Sequence, residues 1–201
     1  MAALINLQQI AQAFTLFEAD RGYLPSAKTK IPGATFPISY ALRFSILTTK
    51  NSARGYCLHH EWYSRVNAGF LDPMTEIYRH RSHKRHLGTT HYATVSGESS
   101  VTGDGEKQLK LDELRDDPTT TILVSEVLAR ISWISPEDVV LDPAESLPKL
   151  SGRYPVAWQV AMADRSVQRI PSETSDATLR AMMTRDGGEV VEKNKAKFEL
   201  R

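Results

Sequence analysis

One cysteine, no long apolar run and almost no net charge set the outer limits for this chain. Its 201 residues include only Cys57, which excludes an internal disulfide and a cysteine-rich zinc site. No stretch approaches the roughly 18 continuous apolar residues of a membrane span. The opening MAALINLQQIAQAF lacks a basic segment, a continuous apolar core and a small-residue cleavage site, so it does not read as an export signal. With 25 Lys and Arg against 24 Asp and Glu, the formal charge is +1. That balance removes any global electrostatic case for nucleic acid or an anionic membrane. There is no phosphate-cradling glycine loop, no G-x-S-x-G elbow, no internal repeat and no low-complexity tract. As it stands, the chain is expected to be soluble. Its 41% apolar and 24% charged residues are an ordinary globular balance, and its length suits one domain with a sizeable core.

What is present is periodic at the two ends and irregular between them. Leu4, Leu7, Ile10, Ala11, Phe14 and Phe17 recur at helical spacing with glutamines between them, which predicts an amphipathic helix over residues 4–19. Gly22 supplies its stop and Pro25 prevents continuation. Residues 36–50 are apolar and fit either a strand or a helix. Residues 51–91 hold all six histidines and allow a short helix over 67–79. A strand is expected at 91–96, a mobile Gly/Ser-rich loop at 97–108, and a helical turn or two within 109–115. The last third is clearer: a strand at 121–127, a Pro-punctuated connection, and strands at 156–162 and 166–170 around a tight turn at Asp164-Arg165. A helix capped by Ser175 or Asp176 follows, with Gly187 as its stop. The end from Glu192 is charged and expected to fray.

The candidate chemistry is thin. His80, His83 and His86 in HRSHKRH form the sharpest metal candidate, since neutral imidazoles bind zinc or nickel. Arg79, Arg81, Lys84 and Arg85 surround them and repel a cation, so a solvated basic loop is the better reading. One short basic run without interleaved aromatics is no case for nucleic acid. An acid–base pair drawn from Glu126, Glu137 and Asp138 requires carboxylates in one cleft. Glu126 instead ends an apolar strand, as a structural, hydrogen-bonded carboxylate does. Pro136-Glu137-Asp138 reads as a helix start. Cys57 lacks any protease context, the 102–113 loop lacks EF-hand spacing, and Trp133 and Trp158 are expected in the core. No catalytic residue and no cofactor are assigned.

Several segments carry a resemblance. INLQQIAQAFTLFEADRGYLPSA resembles the helix end and turn of bacterial pseudopilins, through Asn6, Leu7, Gln9, Ile10, Ala13, Phe17, Gly22, Pro25 and Ala27. TTTILVSEV, ISWISPEDV, DPAESLPKLSG, MADRSVQRIP and TLRAMMTRDGGE resemble, in order and spacing, a pilin-like domain family of unknown function. It is abundant in planctomycete bacteria, similar to the G-type pseudopilins of type II secretion, and ends in a His, nine residues, Asp-Gly motif. Trp62, Ser64 and Asn67 are weaker matches. The departures are Tyr154 in place of that histidine, Arg165 in place of the glycine after Asp164, Asp117-Pro118 in place of a Gly-containing turn, His80 in place of a common cysteine, and no prepilin cleavage site or apolar half-helix.

The resemblance implies an α+β, pilin-like fold: an N-terminal helix packed on a small antiparallel sheet, completed by a C-terminal hairpin and helix. One domain would cover residues 1–191, with the helix at 1–22, the sheet-containing body at 36–191 and a charged tail at 192–201. Leu4, Leu7, Phe14 and Phe17 are expected to pack the helix. The implied function is that of a non-catalytic structural or interaction subunit of a bacterial cell-surface or secretion-type assembly. Its partners would be pilin-like subunits or cell-surface proteins, in an extracytoplasmic location. The alternatives are a free-standing binding or regulatory domain on the same scaffold and, more remotely, a metal-dependent enzyme using the histidine loop.

Overall fold

Helix-forming residues run unbroken from the start of the chain, and α1 spans Ala2–Arg21. Gly22 ends it in left-handed backbone at φ 80°, with its N–H on the Glu18 carbonyl at 2.7 Å, a conformation glycine adopts without steric cost. The apolar stretch that fitted either strand or helix is helical: α2 covers Tyr40–Thr48. Ser39 sets its start, because its hydroxyl accepts the Leu42 N–H at 3.0 Å and donates to the Trp133 carbonyl at 2.7 Å. That is the capping chemistry expected of serine.

The computed structural model describes residues 2–26, 33–48, 55–71, 74–79, 88–105, 107–142, 144–147, 150, 156–194 and 197–200. It is α+β, with the N-terminal helix laid on a mixed five-stranded sheet. The strands are β1 Thr89–Ser96, β2 Ile122–Ser132, β3 Val139–Val140, β4 Ala157–Met162 and β5 Val167–Pro171, in the order β3-β1-β2-β4-β5. Neighbours pair antiparallel except β3, which runs parallel to β1.

That exception corrects two expectations. The sheet is not purely antiparallel, and Pro136-Glu137-Asp138 does not start a helix. The β-branched Val139 and Val140 follow directly, favour extended backbone, and align with Val95 and Ser96 at the sheet edge.

Both sheet faces are covered. On one, Leu7, Ile10, Phe14 and Phe17 of α1 meet α2, Leu123 and Ala161. On the other, Trp158, Val160, Met162 and Ile170 meet Leu179, Met182 and Met183 of α3, Asp176–Met183. Ser175 caps α3 by accepting the Thr178 N–H at 3.1 Å. The helix stops at Met183, before Gly187, because Thr184 turns extended and bridges to Ser100.

Two further elements differ from expectation. Two 3-10 turns, Ala68–Phe70 and Glu76–Tyr78, replace a single helix over 67–79; Pro73 between them lacks the N–H a continuous helix needs. The end of the chain pairs instead of fraying, with β6 Val191–Asn194 antiparallel to β7 Lys197–Leu200. Lys193 Nζ donates to Gln168 Oε1 of β5. Pairing satisfies backbone groups that a frayed end leaves to water. Among the described residues, no helix is long and apolar enough to cross a membrane.

Candidate functional site

Helix α1 carries apolar residues on two opposite sides. At about 100° per residue, Leu7, Ile10, Phe14 and Phe17 form one stripe, and all four are buried. Leu4 falls at the border of that stripe and is 41% exposed, which corrects its expected packing role. Ile5 and Leu16 lie eleven residues apart, about three turns, so they line up on the side away from the core. They are 47% and 57% exposed. Gln8, Gln9 and Gln12 are the exposed residues between them. The helix is therefore not the simple amphipathic element expected from its spacing.

The hairpin tip between β4 and β5 flanks this outer face. Gln8 and Gln12 line an open cavity of about 370 Å³ with Asp164, Arg165 and Ser166. The tip is built by local hydrogen bonds. Arg165 N–H donates to the Met162 carbonyl at 2.9 Å, Met162 N–H to the Ser166 carbonyl at 2.9 Å, and Ser166 N–H to the Asp164 carboxylate at 2.8 Å. Asp164 N–H donates to the Pro118 carbonyl at 3.1 Å, tying the tip to the segment before β2. Arg165 sits at φ 72°. A left-handed non-glycine residue costs about 1 kcal/mol, so Arg165 holds a backbone geometry that suits glycine, and it lines the cavity.

The remaining sequence candidates do not gather there. Glu126 is 2% exposed inside β2, and its Oε2 accepts the Gln159 N–H of β4 at 2.9 Å, a cross-strand structural contact. Glu137 is exposed on the loop before β3. Trp133 is buried, donates its indole N–H to the Phe70 and Leu71 carbonyls at 3.0 and 3.2 Å, and stacks on Tyr78 at 6.3 Å between ring centroids. Tyr154, His80, His83 and His86 lie outside the described residues. His59 Nδ1 meets Thr35 Oγ1 at 3.0 Å on an exposed loop, and His91 Nδ1 meets the Val127 carbonyl at 3.1 Å within the sheet. Among the described residues, no group of three or more His, Cys, Asp or Glu is placed to hold a metal ion.

Three polar centres escaped the sequence reading. Asn67 is fully buried; its Oδ1 accepts Cys57 N–H at 2.9 Å, and its Nδ2 donates to the Cys57, His60 and Glu61 carbonyls, each at 3.1 Å. It folds the 57–67 loop around itself. The Asp116 carboxylate accepts the N–H groups of Gly187 and Gly188 at 3.0 and 2.9 Å and the Thr184 hydroxyl at 3.3 Å. It thereby fastens the chain after α3 to the segment before β2. Arg43 of α2 is 2% exposed, and only its Nε is paired, with the Ile38 carbonyl at 3.1 Å. Burial lowers its pKa to about 10, against smaller raising effects of Tyr23 and Asp138.

The aromatic ring cluster beneath α1 is equally desolvated. Burial pushes the phenols of Tyr40, Tyr78 and Tyr92 well up, with charge effects from Tyr78, Asp138 and Tyr92 adding at Tyr40. The site thus offers helix surface with glutamine, aspartate, arginine and serine side chains beside it. Comparison of the chain with protein-family models, with curated proteins and with solved structures found no match to any of them.

Proposed function

We propose that the protein is a non-catalytic, pilin-like interaction subunit of a bacterial cell-surface or secretion-type assembly, and that the outer face of α1 is where it meets its partners. In this reading the partners are other pilin-like subunits, including further copies of this chain, and the location is extracytoplasmic. The observation that carries the reading is the alignment of Ile5 and Leu16 opposite the buried stripe of the same helix. An apolar line interrupted only by glutamines buries surface against a second helix without stranding a charge. The ordered C-terminal segments that resemble the pilin-like family support the same scaffold.

Sedimentation velocity tests the reading. The wild-type chain is expected to self-associate as concentration rises, and the I5D/L16D variant to remain monomeric with an unchanged thermal midpoint. A wild-type chain that stays monomeric to millimolar concentration, alone and mixed with pilin-like subunits, would overturn it. A second reading, a free-standing binding domain, is favoured by the cavity that Gln8, Gln12 and Arg165 line. It requires that R165G abolish ligand capture while I5D/L16D leaves it intact.

A further inference from the structure

Helix α1 carries no charged residue between Ala2 and Leu16, so its outer face is neutral, apolar at Ile5 and Leu16 and glutamine between them. A charged pair stands beside it on the hairpin tip. Asp164 and Arg165 share an open cavity of about 370 Å³ with Gln8 and Gln12, which lie midway between Ile5 and Leu16 along the helix. Gln8 sits about 70° round the helix from the Ile5–Leu16 line, so the tip stands on one flank of that line, level with its centre. Arg165 is exposed, and among the described residues neither it nor Asp164 forms an ion pair. The carboxylates of α1 are committed elsewhere: Glu18 accepts the Leu111 N–H at 2.7 Å, and Asp20 pairs with Arg21 at 2.8 Å. A second α1 therefore offers Arg165 no counter-charge, whereas a second hairpin tip offers it Asp164.

We infer that a second copy of the chain covers this face in an antiparallel, two-fold arrangement, with Asp164 of each copy paired to Arg165 of the other. The inference rests on the reading of the outer face of α1 as an interface and specifies its occupant. A two-fold contact uses one patch twice, so the patch must complement itself. This patch does: its helix face is uncharged, and its tip carries one charge of each sign. A two-fold axis crossing the helix midway between Ile5 and Leu16 lays α1 antiparallel on α1. It sets Leu16 of each copy over Ile5 of the other and turns the two tips face to face. Parallel helices would put the tips on opposite flanks and leave both Arg165 side chains unpaired. A partner charged with one sign would set a like charge against Asp164 or Arg165, which costs affinity.

Sedimentation velocity of the full chain at low salt, beside D164N and R165Q, tests it. D164N keeps an oxygen to accept the Ser166 N–H that Asp164 holds at 2.8 Å and removes only the charge. The wild type is expected to dimerise. Each variant alone should dimerise roughly fivefold more weakly, because both ion pairs are lost. An equimolar mixture of the two should dimerise more tightly than either, because one Asp164–Arg165 pair is restored between unlike copies. Orientation is read by oxidising chains that also carry C57S. A mixture of I5C and L16C should form a disulfide between the two variants, while I5C alone should not, since its two copies would sit about three helical turns apart. Dimers of unchanged strength in both variants, a mixture no tighter than its components, or a disulfide formed by I5C alone would overturn the arrangement while leaving the α1 face as the interface. A monomeric wild type would overturn it too, and would overturn the reading it rests on only if the chain also ignored pilin-like subunits.

Discussion

The two sides of helix α1 are both apolar, yet they stand in different physical situations. The inner side meets rings in defined geometry: Phe14 lies 4.9 Å from Phe44 edge-on and 5.6 Å from Tyr40, and Phe17 lies 5.6 Å from Tyr23. Those contacts make the inner side the anchor of one of the two cores. The outer side presents Ile5 and Leu16 to solvent with glutamines between them. A single exposed leucine means nothing on a protein surface; two in register on the side opposite the core are a pattern. The contrast teaches that, among the described residues, the inner stripe alone is packed into a core, while the outer one is left about half exposed.

Substitutions on the two sides should therefore separate cleanly. The largest loss is expected from Phe14→Ala, about 4 kcal/mol of unfolding free energy by denaturant titration, because it empties a fully buried aromatic site. A loss below about 1 kcal/mol would break the claim that the inner stripe anchors the core.

Alkaline pH attacks the same side. The Tyr40, Tyr78 and Tyr92 phenols are raised above their ordinary value of 10.0 chiefly by burial, so the folded state holds their protons more tightly than the unfolded one. Their contribution is complete below that ordinary value and is lost as pH rises through the folded-state values. Denaturation midpoints should hold from neutrality towards pH 10.0 and fall beyond it, and phenolate absorbance should jump with unfolding. Smooth titration of all seven tyrosines in the folded protein would contradict this burial.

At the rim of the outer side, Arg165→Gly should stabilise the protein by about 1 kcal/mol by relieving the positive φ, as a higher thermal midpoint. The smallest effect belongs to the outer stripe itself: Leu16→Ala should change monomer stability by no more than about 0.5 kcal/mol.

Local periodicity and backbone preference carried the helix with its Gly22 stop, the strands flanking the Asp164-Arg165 turn and a cap at Ser175 or Asp176, of which Ser175 is the one the structure uses; the α+β class came with the resemblance. Sequence alone did not carry β3, whose two residues are strand only because β1 offers them an edge. Nor did it carry the closing hairpin, where charged residues hid the pairing of Val191 with Leu200. Ile5 and Leu16 were overshadowed by the stronger stripe beside them, and exposure is a property of the packed molecule. Asn67, Asp116 and Arg43 were invisible as centres: Asn67 gathers backbone groups of its own loop that no residue spacing marks, Asp116 meets a segment far along the chain, and Arg43 keeps two buried nitrogens without a hydrogen-bond partner. A Gly-Gly pair near the end of the chain was the one available sign of the Asp116 clasp.

The most direct test of the outer face is a photocrosslinking amino acid placed at position 16, with position 137, exposed on the loop before β3, as control. Illumination at position 16 is expected to join α1 to a second copy of the chain or to a pilin-like subunit, with the mapped cross-link falling on the partner's helix, while position 137 yields none. Equal cross-linking from both positions, or intramolecular products alone from position 16, would contradict the assignment of this face as the interface.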